Sequence, residues 1–305
     1  MKQLVVISGK GGTGKTSLVA SFAALAGRTV LADCDVDAAD LHLVVQSSLV
    51  SRSDFSGGKR AVIDPDRCAD CAACEGVCRF DAITSEPAEG RGNAITRTID
   101  RFACEGCGVC AWFCPENAIE LVDTVDGEWY LSEARFGPMA HARLNAAGEN
   151  SGKLVSLLRS EARKVASDRG SDLVGIDGSP GIGCPVIASI TGADLVLVVT
   201  APTLSGLHDL ERVIRLTRHF EIPVLVVINR FDVNEEITRR AEQHARRLGA
   251  QIVGRVRLDP AVTEAQIQGL SVVEHTKNGA AADITGVWKN VRSRLAAQLP
   301  LYVEA

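Results

Sequence analysis

Hydrophobic positions along this chain gather into short unbroken runs separated by longer mixed stretches. The runs are QLVVIS (3–8), TVLADC (29–34), DLVGID (172–177), DLVLVVT (194–200), PVLVVIN (223–229) and AQIVGRV (250–256). They are rich in branched residues and do not alternate with polar ones, the pattern of strands buried on both faces of a parallel sheet. Between them the spacing turns helical: Leu207, Leu210, Val213, Ile214 and Leu216 recur with charged residues in between. This alternation predicts an α/β fold on a doubly wound, mostly parallel sheet. Ala282–Leu299 also reads as a helix, with Ile284, Val287, Trp288, Val291, Leu295 and Leu299 on one stripe. It lacks the Lys/Arg-rich polar face of a membrane-lying helix, so the stripe is expected to pack into the core.

The rhythm breaks between residues 58 and 122, where Cys, Gly and charged residues replace the apolar runs. Short strands are expected around Ala61–Ile63, Ile95–Ile99 and Ile119–Val122, with turns at 56–59 and 123–128 on either side. The segment repeats internally, Cys68–Ile83 matching Cys104–Ile119 in its cysteines. The organisation expected is a parent domain in two parts, 1–57 and 123–305, around an insertion at 58–122.

The first apolar run leads into GKGGTGKTS, which satisfies G-x-x-x-x-G-K-S/T between a strand and a helix, the context the motif needs. The backbone N–H groups of Gly9, Lys10, Gly11, Gly12, Thr13 and Gly14 can close on phosphate oxygens at a helix N-terminus. Lys15 would pair with the terminal phosphates, and Thr16, beside Ser17, would give its hydroxyl to Mg2+.

The second lysine of this loop, Lys10, resembles the deviant phosphate loop of the MinD/ParA/Mrp ATPases, a group that includes the nitrogenase iron protein. The resemblance implies a SIMIBI-like P-loop NTPase fold and a dimer in which Lys10 reaches the partner's nucleotide, acting in trans as an arginine finger does. In LADCDVDAADL (31–41) it points to Asp35 as the residue that orients the attacking water and contributes to the Mg2+ site. Asp33 and Asp40 match less well, and Asp37 fits a solvated loop carboxylate. In IDGSPGIG (176–183) Asp177 fits the acidic residue holding Mg2+ through water, and Gly181 fits the hinge of the γ-phosphate switch. Asn229, at the end of VVIN, fits the amide that reads adenine.

Cys68, Cys71, Cys74 and Cys78 form C-x2-C-x2-C-x3-C, and Cys104, Cys107, Cys110 and Cys114 repeat it, followed by Pro115. This is the two-cluster bacterial ferredoxin pattern, in which the fourth cysteine of each run ligates the other cluster. One 4Fe–4S cluster is therefore assigned to Cys68, Cys71, Cys74 and Cys114, and the second to Cys78, Cys104, Cys107 and Cys110. Zinc sites built from cysteines alone use related spacings, but two matching runs and the proline favour clusters. Arg79 departs from the pattern where a proline is expected after Cys78. Cys34 and Cys184 read as small buried hydrophobes. Cys184 also stands at the offset from Asp177 at which the nitrogenase iron protein carries a cluster ligand, while the stretch before residue 151 lacks the second cysteine that protein uses. Asn150 or Ser151 is expected to cap a helix, and Lys153 could face ligand or partner. His141, His208 and the other histidines show no metal-like spacing.

Composition adds limits. The 305 residues, 46% hydrophobic, fit a folded globular chain, and a net charge of -5 leaves no basic footprint for nucleic acid. Nothing approaches the ~20 apolar residues of a membrane span. LVVIS is too short for a signal-peptide core, so a cytoplasmic protein is expected, where a count of ten cysteines points to metal rather than disulfides.

The sequence thus predicts an ATPase of the MinD superfamily carrying a two-cluster ferredoxin-like α+β insertion, with ATP, Mg2+ and two 4Fe–4S clusters as cofactors. The expected partners are a second copy or a related ATPase subunit, and a redox or metallocofactor protein. Three outputs are compatible: an ATP-gated electron carrier, a carrier or scaffold for metal clusters, and a MinD/ParA-like spatial organiser with redox-sensing clusters. Complete, interlocked cluster motifs favour the first, since a carrier needs a labile cluster and an organiser needs a membrane or DNA track.

Overall fold

The computed structural model describes residues 1–87, 95–145 and 151–297. Its strands are β1 (Lys2–Ser8), β2 (Val30–Asp33), β3 (Ser48–Phe55), β4 (Lys59–Ile63), β5 (Ile83–Pro87), β6 (Ile95–Ile99) and β7 (Ile119–Asp123). They continue as β8 (Gly127–Ala134), β9 (Gly137–Leu144), β10 (Leu173–Pro180), β11 (Leu195–Thr200), β12 (Val224–Asn229) and β13 (Gln251–Val256). The helices are α1 (Lys15–Ala26), α2 (Leu41–Val44), α3 (Ala73–Val77), α4 (Val109–Trp112), α5 (Ser151–Asp168) and α6 (Cys184–Ile190). After them come α7 (Leu204–His219), α8 (Glu235–Arg247), α9 (Ala261–Ile267), α10 (Val272–His275) and α11 (Ala280–Ala296). Two compact units result: Met1–Ser53 with Trp129–Arg143 and Ser151–Ala305, and Asp54–Glu128 with Leu144–Asn150.

The first unit is built on a sheet ordered β13-β12-β11-β1-β10-β2-β9-β8-β3. All six apolar runs become strands, contiguous in the sheet from β13 at one edge to β2, and each pairs in parallel, as in Leu4↔Leu195, Val5↔Ile176 and Ala32↔Ile176. Both faces are covered. Leu4, Val6, Leu31, Leu195 and Leu197 join one core with α1, α10 and α11, in which the Phe22 and Trp288 rings lie 5.1 Å apart. The alternate residues Val5, Ile7, Ile176, Val196 and Val198 are equally buried, and α5, α6 and α7 pack on the same strands. The last helix buries Ile284, Val287, Trp288 and Val291 as its spacing predicts, while Leu299 lies outside the described residues. So does Asn150, one of the two expected caps; Ser151 is the first residue of α5.

Three strands, β9, β8 and β3, extend the sheet beyond the six runs. The edge strand β3 exposes every residue from Ser48 to Asp54 and buries only Phe55, so it carries no apolar run to announce it. Between β1 and β2 stands β10, so the chain leaves β1 toward one side and returns from β10 to β11 on the other. The carboxyl ends of strands flanking such a reversal form a crevice, the preferred ligand site of an open α/β sheet. Among the described residues no helix is long and apolar enough to cross a membrane.

The second unit holds two antiparallel strand pairs, β4 with β7 and β5 with β6, aligned so that Ala61 faces Leu121 and Ser85 faces Arg97. The sequence repeat returns in its backbone. Asp70 and Gly106 have φ of 55° and 61°, Ala72 and Gly108 61° and 77°, and Asp81 and Asn117 50° and 49°. These left-handed residues fall at matching offsets from Cys68 and Cys104. Ala72 and Gly108 immediately precede α3 and α4. At Gly106 the constraint is steric as well, since a Cβ would stand 1.9 Å from the Lys59 carbonyl oxygen. A small core of Ala61, Cys74, Ile83 and Ile119 closes the unit.

Candidate functional site

The loop between β1 and α1 opens on a cavity of about 530 Å3 at the carboxyl ends of the central strands. Gly14 precedes α1 with φ 96°, a conformation costly for any residue with a Cβ, and a Cβ there would meet the Asn229 amide nitrogen at 2.4 Å. Lys15 begins the helix with its side chain only 5% exposed, and its ammonium lies 3.5 Å from the Asp35 carboxylate. Lys10, by contrast, is exposed. Ser8 fixes the start of the loop by donating its hydroxyl to the Lys10 carbonyl at 2.7 Å.

The four aspartates after β2 separate by burial. Asp33 is fully buried and accepts hydrogen bonds from the N–H groups of Asp35 (3.2 Å) and Leu41 (3.0 Å), so it ties down the loop from both ends. Burial and the nearby Asp177 charge push its carboxyl well above the usual range. Asp35, Asp37 and Asp40 line the cavity with Thr16 and Ser17. Burial also raises the Asp35 carboxyl, with Lys15 pulling it back.

Asp177, near the end of β10, is 1% exposed, and among the described residues neither carboxylate oxygen has a partner at full hydrogen-bond distance, the Thr16 hydroxyl standing nearby. Its carboxyl is raised by burial against the attraction of Lys15. The hydroxyl of Thr13 is likewise buried without a partner among the described residues. Orphaned oxygens at a buried lysine are what a phosphate–cation pair would complete. Gly181 follows with φ 94° and donates its N–H to the Ser8 carbonyl at 2.8 Å, linking this turn to the phosphate loop. Ser179 donates its hydroxyl to the Cys34 carbonyl at 2.7 Å, joining the β2 and β10 ends.

Asn229 lines the same cavity with both polar ends engaged. Its amide nitrogen donates to the Thr13 carbonyl at 2.8 Å, and its oxygen accepts from the Arg230 N–H at 3.0 Å. It is therefore a brace of the phosphate loop, a role that its place in the sequence does not suggest. Ser8, Ser179 and the anchoring work of Asp33 escape sequence reasoning too, because hydrogen bonds to distant backbone groups leave no trace in spacing.

In the second unit the eight cysteines of the two runs are all free thiols. Cys78 lines one cavity with Cys104, Cys107 and Cys110, among Ala61 and Ile99. Cys74 is buried, and Cys78, Cys104, Cys110 and Cys114 pack against the core it belongs to. The sulfur of Cys114 accepts the Ala118 N–H at 3.2 Å. Burial pushes the Cys74 and Cys110 thiols up. Among the described residues no three His, Cys, Asp or Glu side chains converge tightly enough to hold a single metal ion. A four-iron cubane makes a different demand, each thiolate binding its own iron.

Cys34 is fully buried, and burial pushes its thiol far up. Cys184 departs from expectation: it is exposed, because it opens α6 beside Gly152 rather than facing the sheet. His141 stacks on Tyr130 and His42, faces the Ser132 hydroxyl at 2.9 Å, and is held down to about 4 by burial. His208 is largely exposed.

The chain is 33% identical over 236 residues to the uncharacterized protein MJ0578 of Methanocaldococcus jannaschii, covering 76% of this chain and 79% of that one. A segment of 62 residues is 34% identical to pyruvate synthase subunit PorD of Thermotoga maritima, covering 20% of this chain and 57% of that protein. Among solved structures, the septum site-determining protein MinD of Pyrococcus horikoshii OT3, complexed with Mg-ADP, superposes with a TM-score of 0.56 at 17% identity. The match covers 98% of this chain and 99% of that one. Residues 4–272 match the CobQ/CobB/MinD/ParA nucleotide binding domain, and the chain belongs to that family.

Proposed function

We propose that this protein is a Mg-ATP-hydrolysing dimeric switch that couples its nucleotide state to electron transfer, through two 4Fe–4S clusters, to a partner protein. The observation that carries the electron-transfer half is the company Cys78 keeps: the last cysteine of the first run lines a cavity with three cysteines of the second. Exchange of the fourth ligand between two C-x2-C-x2-C-x3-C runs is the hallmark of paired cubanes. On this reading Cys68, Cys71, Cys74 and Cys114 hold one cluster, and Cys78, Cys104, Cys107 and Cys110 hold the other. Bound there, the clusters would supply one-electron chemistry. The domain organisation is that of an ATPase in two parts, 1–57 and 123–305, around the cluster-bearing residues 58–122.

For the nucleotide half, the orphaned oxygens of Asp177 and the buried ammonium of Lys15 fit a phosphate with Mg2+. The Mg-ADP carried by the Pyrococcus horikoshii MinD is in keeping with that fit. Lys15 balances phosphate charge, Thr16 and Asp177 hold the cation directly or through water, and Asp35 orients the attacking water. Gly181 lets the turn after β10 follow the γ-phosphate, and Asn229 holds the loop with an amide hydrogen left over for a base edge. Exposed Lys10 is available to a second protomer, whether a copy of this chain or a related ATPase. The cluster-carrier reading has weaker support, since a transferable cluster needs a set of exposed ligands and, outside the two cysteine runs, Cys184 is the one exposed cysteine. The organiser reading is supported only by the fold.

The test is the full-length protein purified without oxygen. Iron and acid-labile sulfide should match two clusters per chain, and MgATP should be hydrolysed at a rate lost in Lys15→Ala. A chain with neither iron nor sulfide, or hydrolysis unchanged in Lys15→Ala, contradicts the corresponding half of the proposal.

A further inference from the structure

The offset that takes Cys68 to Cys104 also pairs Asp70 with Gly106, Glu75 with Ala111, Ser85 with Leu121 and Arg97 with Ala61. Strand register agrees, since Ser85 faces Arg97 in one hairpin and Leu121 faces Ala61 in the other. The two halves of the unit are thus alike in backbone and unlike in charge. Around Cys78, Cys104, Cys107 and Cys110 the lining is apolar, with Ala61, Ile83, Ile99 and Val109, apart from the exposed Glu105, and among the described residues it holds no cation. Around the first run it is ionic. The Arg97 guanidinium is 4% exposed and donates to Asp70, between Cys68 and Cys71, at 2.9 Å. It also lies 3.7 Å from Glu75, next to Cys74, and the Ser85 hydroxyl holds Glu75 at 2.7 Å. That 3.7 Å contact is made by the Arg97 Nε, which is buried and has no partner within hydrogen-bond distance among the described residues.

The carboxylates do not cancel this cation. Asp70 and Glu75 are 41% and 45% exposed, so water and salt screen them, whereas the guanidinium sits in a low-dielectric interior. Reduction adds negative charge to a cluster, and a nearby buried cation favours the reduced state. Resting on the cluster reading above, we infer that Arg97 makes the two sites unequal: the cluster on Cys68, Cys71, Cys74 and Cys114 accepts an electron first. The cluster in the apolar site is the stronger reductant of the pair. Arg97 is a tuning residue that touches no reacting atom.

The experiment is an EPR-monitored redox titration of the anaerobic full-length protein, after iron and sulfide have been measured. The wild type should show two midpoints, and Arg97→Gln should lower the upper one by at least tenfold in reduction equilibrium, about 59 mV for one electron. The lower midpoint should stay where it is, and Arg97→Lys should keep the wild-type value. One shared midpoint in the wild type, or a fully loaded Arg97→Gln with both midpoints unmoved, overturns the inference. If Arg97→Gln does not hold both clusters, Glu75→Gln decides: screened as it is, Glu75 should move the upper midpoint by less than tenfold in reduction equilibrium, and a larger rise, which would show that the carboxylates do offset the cation, overturns the inference. Absence of iron from the wild type overturns the cluster reading itself, and that is known before any potential is measured.

Discussion

At the scale of single residues, the aspartates after β2 show how burial sorts what sequence leaves equal. The string DCDVDAAD offers four carboxylates within a few positions, and the family resemblance singles out Asp35. In the structure Asp35 pairs with Lys15, while Asp33 lies beneath the loop and binds two of its N–H groups. The two residues should therefore fail differently. Asp35→Asn should keep its nucleotide, whose phosphates take over the Lys15 charge, but lose turnover by ~10²–10⁴, the usual worth of a positioned proton acceptor. Asp33→Ala should unfold more easily, by about 1–3 kcal/mol, because buried N–H groups lose their acceptor. Calorimetry alongside steady-state hydrolysis separates them, and an Asp35→Asn protein with wild-type turnover would remove Asp35 from the mechanism. Lys15, Asp35 and Asp177 were legible because strand ends and loop motifs locate them. The bracing role of Asn229 was not, because its partner, the Thr13 carbonyl, is a backbone atom far away in sequence.

At the scale of elements, the six parallel strands from the apolar runs were legible because burial, on both faces in all but the edge strand β13, writes a continuous apolar run. The strands β3, β8 and β9 were not, since β3 is an exposed edge and β8 and β9 are only partly buried, so none of them carries a continuous apolar run. The cysteine repeat was visible, but its backbone counterpart was not: a left-handed residue leaves a clear mark only when it is glycine. Gly106 and Gly108 carry that mark, and their counterparts Asp70 and Ala72 do not. Ala72 at φ 61° is held against a cost of about 1–2 kcal/mol for a residue with a Cβ. Ala72→Gly, which copies Gly108, gives back less than that in unfolded-chain entropy, ~0.4–1 kcal/mol. The variant should therefore be more stable by roughly 0.5–1 kcal/mol. Denaturant titration checks this, and a destabilised variant would mean that the Ala72 methyl packs more tightly than its strain costs.

At the scale of the whole molecule, a nucleotide-binding sheet and a cysteine-rich unit share one chain, and the connectivity is informative. The loop carrying Asp35 leads through α2 and β3 directly into the second unit. A change of nucleotide that moves the Asp35 loop therefore has a covalent route to the cysteines. The family and its fold were legible from the phosphate loop and the strand rhythm together. What the pair of modules does jointly was not, because coupling is a difference between two states and a sequence specifies only the residues that both states share. The central claim is that nucleotide state and cluster reduction are linked, and linkage is reciprocal. The most direct measurement is the pair of cluster midpoint potentials with and without MgATP. The account predicts a shift on MgATP that Lys15→Ala abolishes and Lys10→Ala weakens. Potentials that stay fixed, in a protein that holds both clusters and hydrolyses ATP, would contradict it.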